Sequence, residues 1–431
     1  MTNATLDAPT LAGMDASFSV TLVLAVVLVC GLLVRTWLAT RQIRHVSAHR
    51  ATVAADFAHT ISLSAHQKAA DYTVSKLRLG LIEMALEATI LLGWTLLGGL
   101  NWLNQTLLQV MEPGLMQQVA LVAAFIAIGG VLGLPLSIYQ TFVLEDRFGF
   151  NRVTPKLWVM DLVKGVALGC VIGLPLLALL LWVMGAMGPS WWLWAWGLWM
   201  GFNLLLLLIY PTFIAPLFNQ FKPLDDEQLK DCVTALMARC GFSAKGLFVM
   251  DGSKRSAHAN AYFTGFGAAK RVVFFDTLLN KLTPGEVDAV LAHELGHFKH
   301  KHIVQRMVQL FGMSLLGFAL LGWLSGQVFF YTGLGVLPSL QGGNEALALL
   351  LFMMVMPLLS FFISPLMARL SRQHEFQADA YAVAQTSGAD LRSALLKLFE
   401  DNAATLTPDP VYAAFYYSHP PAAERLQRMT A

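Results

Sequence analysis

Two histidines four residues apart, with a glutamate beside the first, form the run His293-Glu294-Leu295-Gly296-His297. On a helix, positions i and i+4 project from one face, so both imidazoles can share a metal ion. Zinc favours imidazole nitrogen, and a catalytic zinc keeps one coordination position open for water. A carboxylate at Glu294 stands where it can take that water's proton as the oxygen attacks a carbonyl carbon. The residue types and their spacing point to metal-assisted hydrolysis, with a single Zn²⁺ as the expected cofactor.

Such a centre needs a third ligand. The run Ser371-Arg372-Gln373-His374-Glu375-Phe376-Gln377-Ala378-Asp379 supplies a candidate, because a carboxylate at Glu375 completes a His₂Glu set. Asp379, four residues on, lies on the same helical face and can accept a hydrogen bond from a ligand imidazole, fixing its tautomer. His374 adjoins Glu375 but faces another direction and stays outside the set. His300 and His302 extend the metal-binding helix; a fourth protein ligand would close the site to water, so both are read as interfacial or ligand-supporting residues. Met353, Met354 and Met356 are read as packing between membrane helices.

The elements that must position these side chains are strongly apolar. Hydrophobic residues make up 56% of the 431-residue chain and charged residues only 13%, with a mean hydropathy of +0.59. A soluble protein carries about 25% charged residues, so the composition indicates a polytopic membrane protein whose partner is the lipid bilayer. The net charge of +2 offers no case for a nucleic-acid partner. Oligomeric state is not legible.

Lys and Arg are absent from 1–34, 79–146, 165–221 and 307–368. A hydrocarbon core takes about 20 helical residues to cross, so the first stretch holds one span and each of the others an out-and-back pair. Seven spans result, near 17–37, 79–100, 119–140, 161–184, 192–214, 306–330 and 346–368. Turns are expected near Asn101–Gln118, Gly185–Trp191 and Tyr331–Glu345. The positive-inside bias places every basic segment and the C-terminus in the cytoplasm, with the N-terminus outside. Trp102, Trp191, Trp192, Trp194 and Tyr331 suit either interfacial belts or packing within the bundle.

The domain scheme that follows has four parts. Residues 1–218 hold five spans and their connectors; 219–305 form a cytoplasmic segment ending in the HExxH helix. Residues 306–368 hold two more spans, and 369–431 form a polar, mostly helical segment with the third ligand. The stretch 39–78 reads as an amphipathic helical extension of its neighbouring spans. Within 219–305, Arg271–Asp276 reads as a strand, Gly265-Phe266-Gly267 as a turn, and Thr283-Pro284-Gly285-Glu286 as a helix start. Cys30, Cys170, Cys232 and Cys240 show no paired spacing and are expected to be reduced thiols.

Several further runs occur in order along the chain: Glu145-Asp146-Arg147-Phe148-Gly149-Phe150-Asn151, Tyr210-Pro211-Thr212-Phe213-Ile214-Ala215-Pro216-Leu217-Phe218-Asn219, Ser256-Ala257-His258-Ala259-Asn260-Ala261-Tyr262-Phe263 and Ser418-His419-Pro420-Pro421. With the HExxH helix and the Glu375 segment, the chain resembles the type I CAAX prenyl proteases, integral-membrane zinc endopeptidases; its first 70 or so residues match only in general character. The resemblance implies an all-α membrane protein in which seven helices enclose a water-filled chamber capped by a zincin-like cytoplasmic domain with a small β element. It implies His293, His297 and Glu375 as zinc ligands and Glu294 as general base. Asn260 and Ala261 would lie along an extended peptide substrate, bound by β-addition. His419 would stabilise the developing oxyanion, and Arg425 would serve as a structural anchor or a substrate contact.

The connections are shorter than in eukaryotic members, and the richness in Ala, Leu and Trp hints at a bacterial inner-membrane protein. The expected substrate is a peptide or membrane-associated polypeptide, with quality-control proteolysis of membrane proteins as a related reading. A transporter or channel would need ionisable residues at mid-span; Glu83, Glu87 and Asp161 are the candidates, all near span ends. An inactive relative would lack Glu294 or a ligand, and none is missing.

Overall fold

The computed structural model describes residues 11–242, 246–264 and 271–429. The expected Gly265-Phe266-Gly267 turn lies outside the described residues. Apolar composition becomes long helix. Five helical stretches are long and apolar enough to cross a membrane: Asp15–Ala48, Leu115–Glu145, Pro155–Ala186, Gly188–Phe218 and His302–Leu324. The remaining two expected spans are broken. Leu63–Trp94 and Gly99–Leu108 meet at 48°, and Glu345–Ser360 and Ser364–Gln385 meet at 65°. Counting each bent pair as one crossing gives seven by length and composition.

Each break has a local cause. After Trp94 the chain turns through Gly98 at φ +77°, and a Cβ on Gly99 would come within 2.5 Å of the Gly93 carbonyl oxygen. A ten-residue helix, Gly99–Leu108, therefore occupies ground expected to be a simple turn. In the other pair, Pro357 and Pro365 flank the break; each lacks an N–H and crowds the preceding turn. The membrane-spanning part of this last segment ends before Arg369, where the sequence becomes polar.

The segment 219–305 carries more β structure than the one strand read from sequence. Strands β1 (Phe221–Pro223), β2 (Gly246–Met250), β3 (Ala261–Thr264) and β4 (Arg271–Phe275) form a mixed sheet in the order β1-β2-β4-β3. β2 and β4 run parallel with Phe248 opposite Val273; β3 runs antiparallel to β4 with Tyr262 opposite Val273. β3 is thus an edge strand. β1, β2 and β3 are short, and β2 lacks a strict alternation of apolar and polar residues, which is why the periodicity did not reveal them.

Behind the sheet, Val272, Phe274, Leu278, Val287, Leu291 and Leu295 form the core on which the HExxH helix, Pro284–Lys299, rests. That helix starts as expected. The Thr283 hydroxyl accepts from the Glu286 N–H while the Glu286 carboxylate accepts from the Thr283 N–H at 2.7 Å, with Pro284 at the first helical position. A separate core in the bundle centres on Tyr331, Leu100, Leu121 and Leu181. The four cysteines are unpaired.

Polar clamps join the two regions. Arg255 donates to both Asp161 oxygens, at 2.9 and 3.1 Å, and to Asn219 Oδ1 at 3.0 Å. Asp161, a candidate for a transport pathway by sequence, is thereby committed to an interdomain ion pair. The His258 ring stacks on Phe150 with centroids 4.3 Å apart, so the Glu145–Asn151 run grips the segment that leads into β3.

Candidate metal centre and active site

The HExxH helix brings His293 and His297 to one face, and the bend after Ser360 lays the helix Ser364–Gln385 directly across it. The crossing is close because residue 296 is glycine. A Cβ there would stand 2.9 Å from Ala378 Cα and 3.1 Å from the Ala378 carbonyl oxygen. Gly296 is thus a site residue that sequence reasoning passed over. Its signal was present, a glycine at the centre of an otherwise good helix, where it costs about 1 kcal/mol relative to alanine unless close approach requires it.

Three side chains then converge. His293 Nε2 and His297 Nε2 are 3.3 Å apart, His293 Nε2 is 3.4 Å from Glu375 Oε2, and His297 Nε2 is 3.5 Å from Glu375 Oε1. A tetrahedral centre with bonds of about 2.0–2.1 Å has edges of about 3.3 Å. The donor set therefore has the spacing of three corners of a zinc tetrahedron. Glu375 is 2% exposed, and its Oε2 has no hydrogen-bond partner, a costly arrangement that a coordinated cation relieves. Among the described residues, this group of three could hold a metal ion.

The supports are also in place. His293 Nδ1–H donates to Asp379 Oδ1 at 2.8 Å, and Arg425 donates through Nε to Asp379 Oδ2 at 2.8 Å and through Nη2 to Oδ1. Arg425 and Asp379 are both almost fully buried. Burial alone would raise the Asp379 pKa, but the hydrogen bonds from Arg425 and His293 outweigh it and hold the carboxyl at about 2. Burial likewise opposes ionisation of Glu375, yet the close imidazoles of His293, His419 and His297 bring its pKa to about 2. His293 is drawn up to about 9 against its burial by Asp379 and Glu375, whereas burial and the neighbouring His293 push His297 down to about 3. Burial raises the Glu294 pKa, making its carboxylate a stronger proton acceptor.

Glu294 lines a cavity of about 300 Å³ together with Asn260, Ala261, His293, Glu375 and His419. His419 stands at the rim with its side chain 65% exposed and Nε2 3.5 Å from Glu375 Oε1. Its loop is held by Arg372, which donates to the Tyr417 carbonyl at 2.6 Å. The Asn260 side chain accepts from the Ala261 N–H at 2.8 Å, capping the start of the edge strand. Arg425 also borders the cavity, but its guanidinium is occupied by Asp379. One wall is apolar and comes from Leu391, Leu395 and Leu398 of the helix Gly388–Asp401. Sequence reasoning missed these three, since an apolar helical face reads as ordinary core.

Comparisons with known proteins place the chain in a family. Residues 42–220 match the family model described as CAAX prenyl protease N-terminal, five membrane helices. Residues 223–431 match Peptidase family M48. CAAX prenyl protease 1 of Saccharomyces cerevisiae is 37% identical over 341 residues, covering 74% of this chain and 75% of its own length. The chain belongs to the CAAX prenyl protease family of M48 peptidases. A CAAX prenyl protease 1 homolog of Arabidopsis thaliana is 37% identical over 319 residues, 73% of this chain and 74% of the relative. The crystal structure of S. mikatae Ste24p superposes with a TM-score of 0.90 at 31% identity, covering 96% of this chain and 99% of that one. As a member of this family the chain is a multi-pass integral membrane protein and a metalloendopeptidase.

Proposed function

We propose that the chain is a zinc endopeptidase that hydrolyses membrane-associated polypeptides at the cytoplasmic mouth of its helix bundle. The carrying observation is the tetrahedral spacing of His293, His297 and Glu375 beside Glu294, in a cavity bordered by β3, an edge strand among the described residues. Zinc bound there supplies Lewis acidity to the scissile carbonyl and to a water. Glu294 takes the proton of the attacking water and passes it to the departing amine. An extended substrate adds to β3, placing its scissile bond beyond Asn260 and Ala261. His419, at the open rim, donates to the carbonyl oxygen as charge develops on it. Arg425 acts as an anchor for Asp379.

We assign residues 1–218 and 306–368 to the membrane bundle and 219–305 with 369–431 to the catalytic domain. The boundary near 220 coincides with that between the two family models. The Lys/Arg-free stretches support an N-terminus outside and a cytoplasmic site, and the richness in Ala, Leu and Trp supports a bacterial inner membrane. Only 6–17% of the most apolar window of each unbroken span is buried within the protein, and Glu83 and Glu87 are exposed on a membrane helix. Charge facing lipid is costly, so a hollow bundle whose helices surround water accounts for both. The family relatives support a CAAX-type polypeptide as the substrate class.

The test is Glu294→Gln. The purified variant should retain zinc at about one per chain while peptide cleavage falls by roughly 10²- to 10⁴-fold. Turnover near that of the unaltered protein would exclude Glu294 as the base.

A further inference from the structure

The two ligand histidines are supported differently, and for His302, read from sequence as interfacial or ligand-supporting, the structure shows a contact to His297. His302 is 1% exposed. Its Nδ1 lies 2.9 Å from His297 Nδ1, and its Nε2 lies 2.8 Å from Gln377 Oε1. The His302 ring stacks with two others, 4.0 Å from His374 at an interplanar angle of 7° and 5.5 Å from His300 at 15°.

The contact depends on a break in the helix. Five residues along a continuous helix point about 140° apart, so His302 could not reach His297 on an extended HExxH helix. Instead the helix ends at Lys299, and Lys301 adopts φ +57°, ψ +31° before the helix His302–Leu324 begins. A non-glycine residue in the left-handed region is uncommon. Here it folds the start of the membrane helix back onto the second ligand.

We propose that His302 is the positioning residue for His297, acting through a hydrogen-bond chain of fixed polarity from His297 through His302 to Gln377. Both end groups limit the tautomers. If His297 presents Nε2 to the metal, its proton is on Nδ1 and must be donated. His302 must then accept at Nδ1, carry its own proton on Nε2 and donate it to the Gln377 carbonyl oxygen. The reverse polarity would leave a proton on His297 Nε2, facing Glu375 and His293, where it would compete with the metal. Gln377 lies two residues beyond Glu375, so the chain also ties the second imidazole to the helix that supplies the third ligand. Stacking by His374 and His300 fixes the plane of the relaying ring. The inference rests on the proposed zinc site and adds the group that orients one of its ligands.

Zinc affinity of the full-length protein in detergent, measured by competition with a chromogenic chelator, reads this out independently of turnover. His302→Ala should weaken zinc roughly 10- to 100-fold, as loss of a ligand-orienting partner does elsewhere, and should alter the visible spectrum of the Co²⁺-loaded protein. His302→Asn, whose amide oxygen can replace the Nδ1 acceptor, should restore affinity to within about threefold, since a ligand imidazole needs only an acceptor there. Asn and Ala variants that bind equally weakly would overturn the assignment. So would wild-type zinc affinity in His302→Ala. If the alanine variant does not fold, Gln377→Met carries the test: it should weaken zinc severalfold, and unchanged affinity would overturn the assignment. A wild-type protein that takes up no zinc would overturn the metal centre itself, an outcome distinct from these.

Discussion

His293 and His297 stand one turn apart on the same helix, yet the protein holds them by opposite means. His293 donates to a carboxylate, Asp379, which is itself paired with Arg425 in the interior. His297 bonds to a neutral relay of His302 and Gln377. A carboxylate acceptor makes an imidazole a better donor to metal than a neutral acceptor does. It also carries a charge that must be compensated where water is scarce. Glu375 and Glu294 already bring negative charge to the centre. One charged support, neutralised by Arg425, and one neutral support orient both ligands without adding a further unpaired carboxylate.

The contrast can be broken on its charged side first. Arg425→Met strands Asp379 in a buried position, and removing one partner of such a pair costs about 3–5 kcal/mol; thermal unfolding in detergent should show the largest loss here. Adding Asp379→Asn to Arg425→Met removes the stranded charge. The double variant should recover most of that stability, because a buried pair replaced by neutral groups is often close to neutral, while its zinc affinity stays roughly 10- to 100-fold weak. A double variant that recovers both would show that the carboxylate does nothing specific for His293.

A smaller effect should come from the cap that starts the shared helix and so acts on both ligands alike. Glu286 is buried, which opposes its ionisation, but Lys397, Ser393 and the Thr283 N–H lower its pKa overall. A depressed folded-state pKa stabilises above the unfolded value near 4.5, and that stabilisation is lost as pH falls through the folded value. Glu286→Gln should cost about 0.5–2 kcal/mol at pH 7, with the difference from the unaltered protein shrinking only as pH falls below the unfolded value of 4.5. The smallest change should be Lys301→Gly, which relieves a left-handed residue and should gain up to about 1 kcal/mol with zinc affinity unchanged.

Much of the catalytic constellation was readable because it is local. His293 and His297 share a face by helical arithmetic, Glu375 and Asp379 share another, and Thr283-Pro284-Gly285-Glu286 announces where the first of these helices begins. The membrane organisation was readable because charge is excluded from hydrocarbon, so the Lys/Arg map outlined the spans. Its failures were also physical. Pro357, Pro365 and Gly98 break two of the expected spans, and only the resulting angles show which way the polar helix turns. β1 and β3 escaped notice because they are only three and four residues long, and β2 because its apolar run shows no alternation.

The amino-acid sequence by itself supplied the groups for the proposed chemistry: two imidazoles and a glutamate at helical spacing, a polar helix with a matched carboxylate pair, and a scaffold apolar enough for a bilayer. Tertiary structure decided how those groups meet. The approach of the two helices across Gly296, the arrival of Arg425 at Asp379, and the return of His302 onto His297 join residues separated by a bend, a break or 46 positions of chain. Periodicity reports which residues share a face. It carries no information about which faces meet, because that depends on the packing and bend angles of the whole chain.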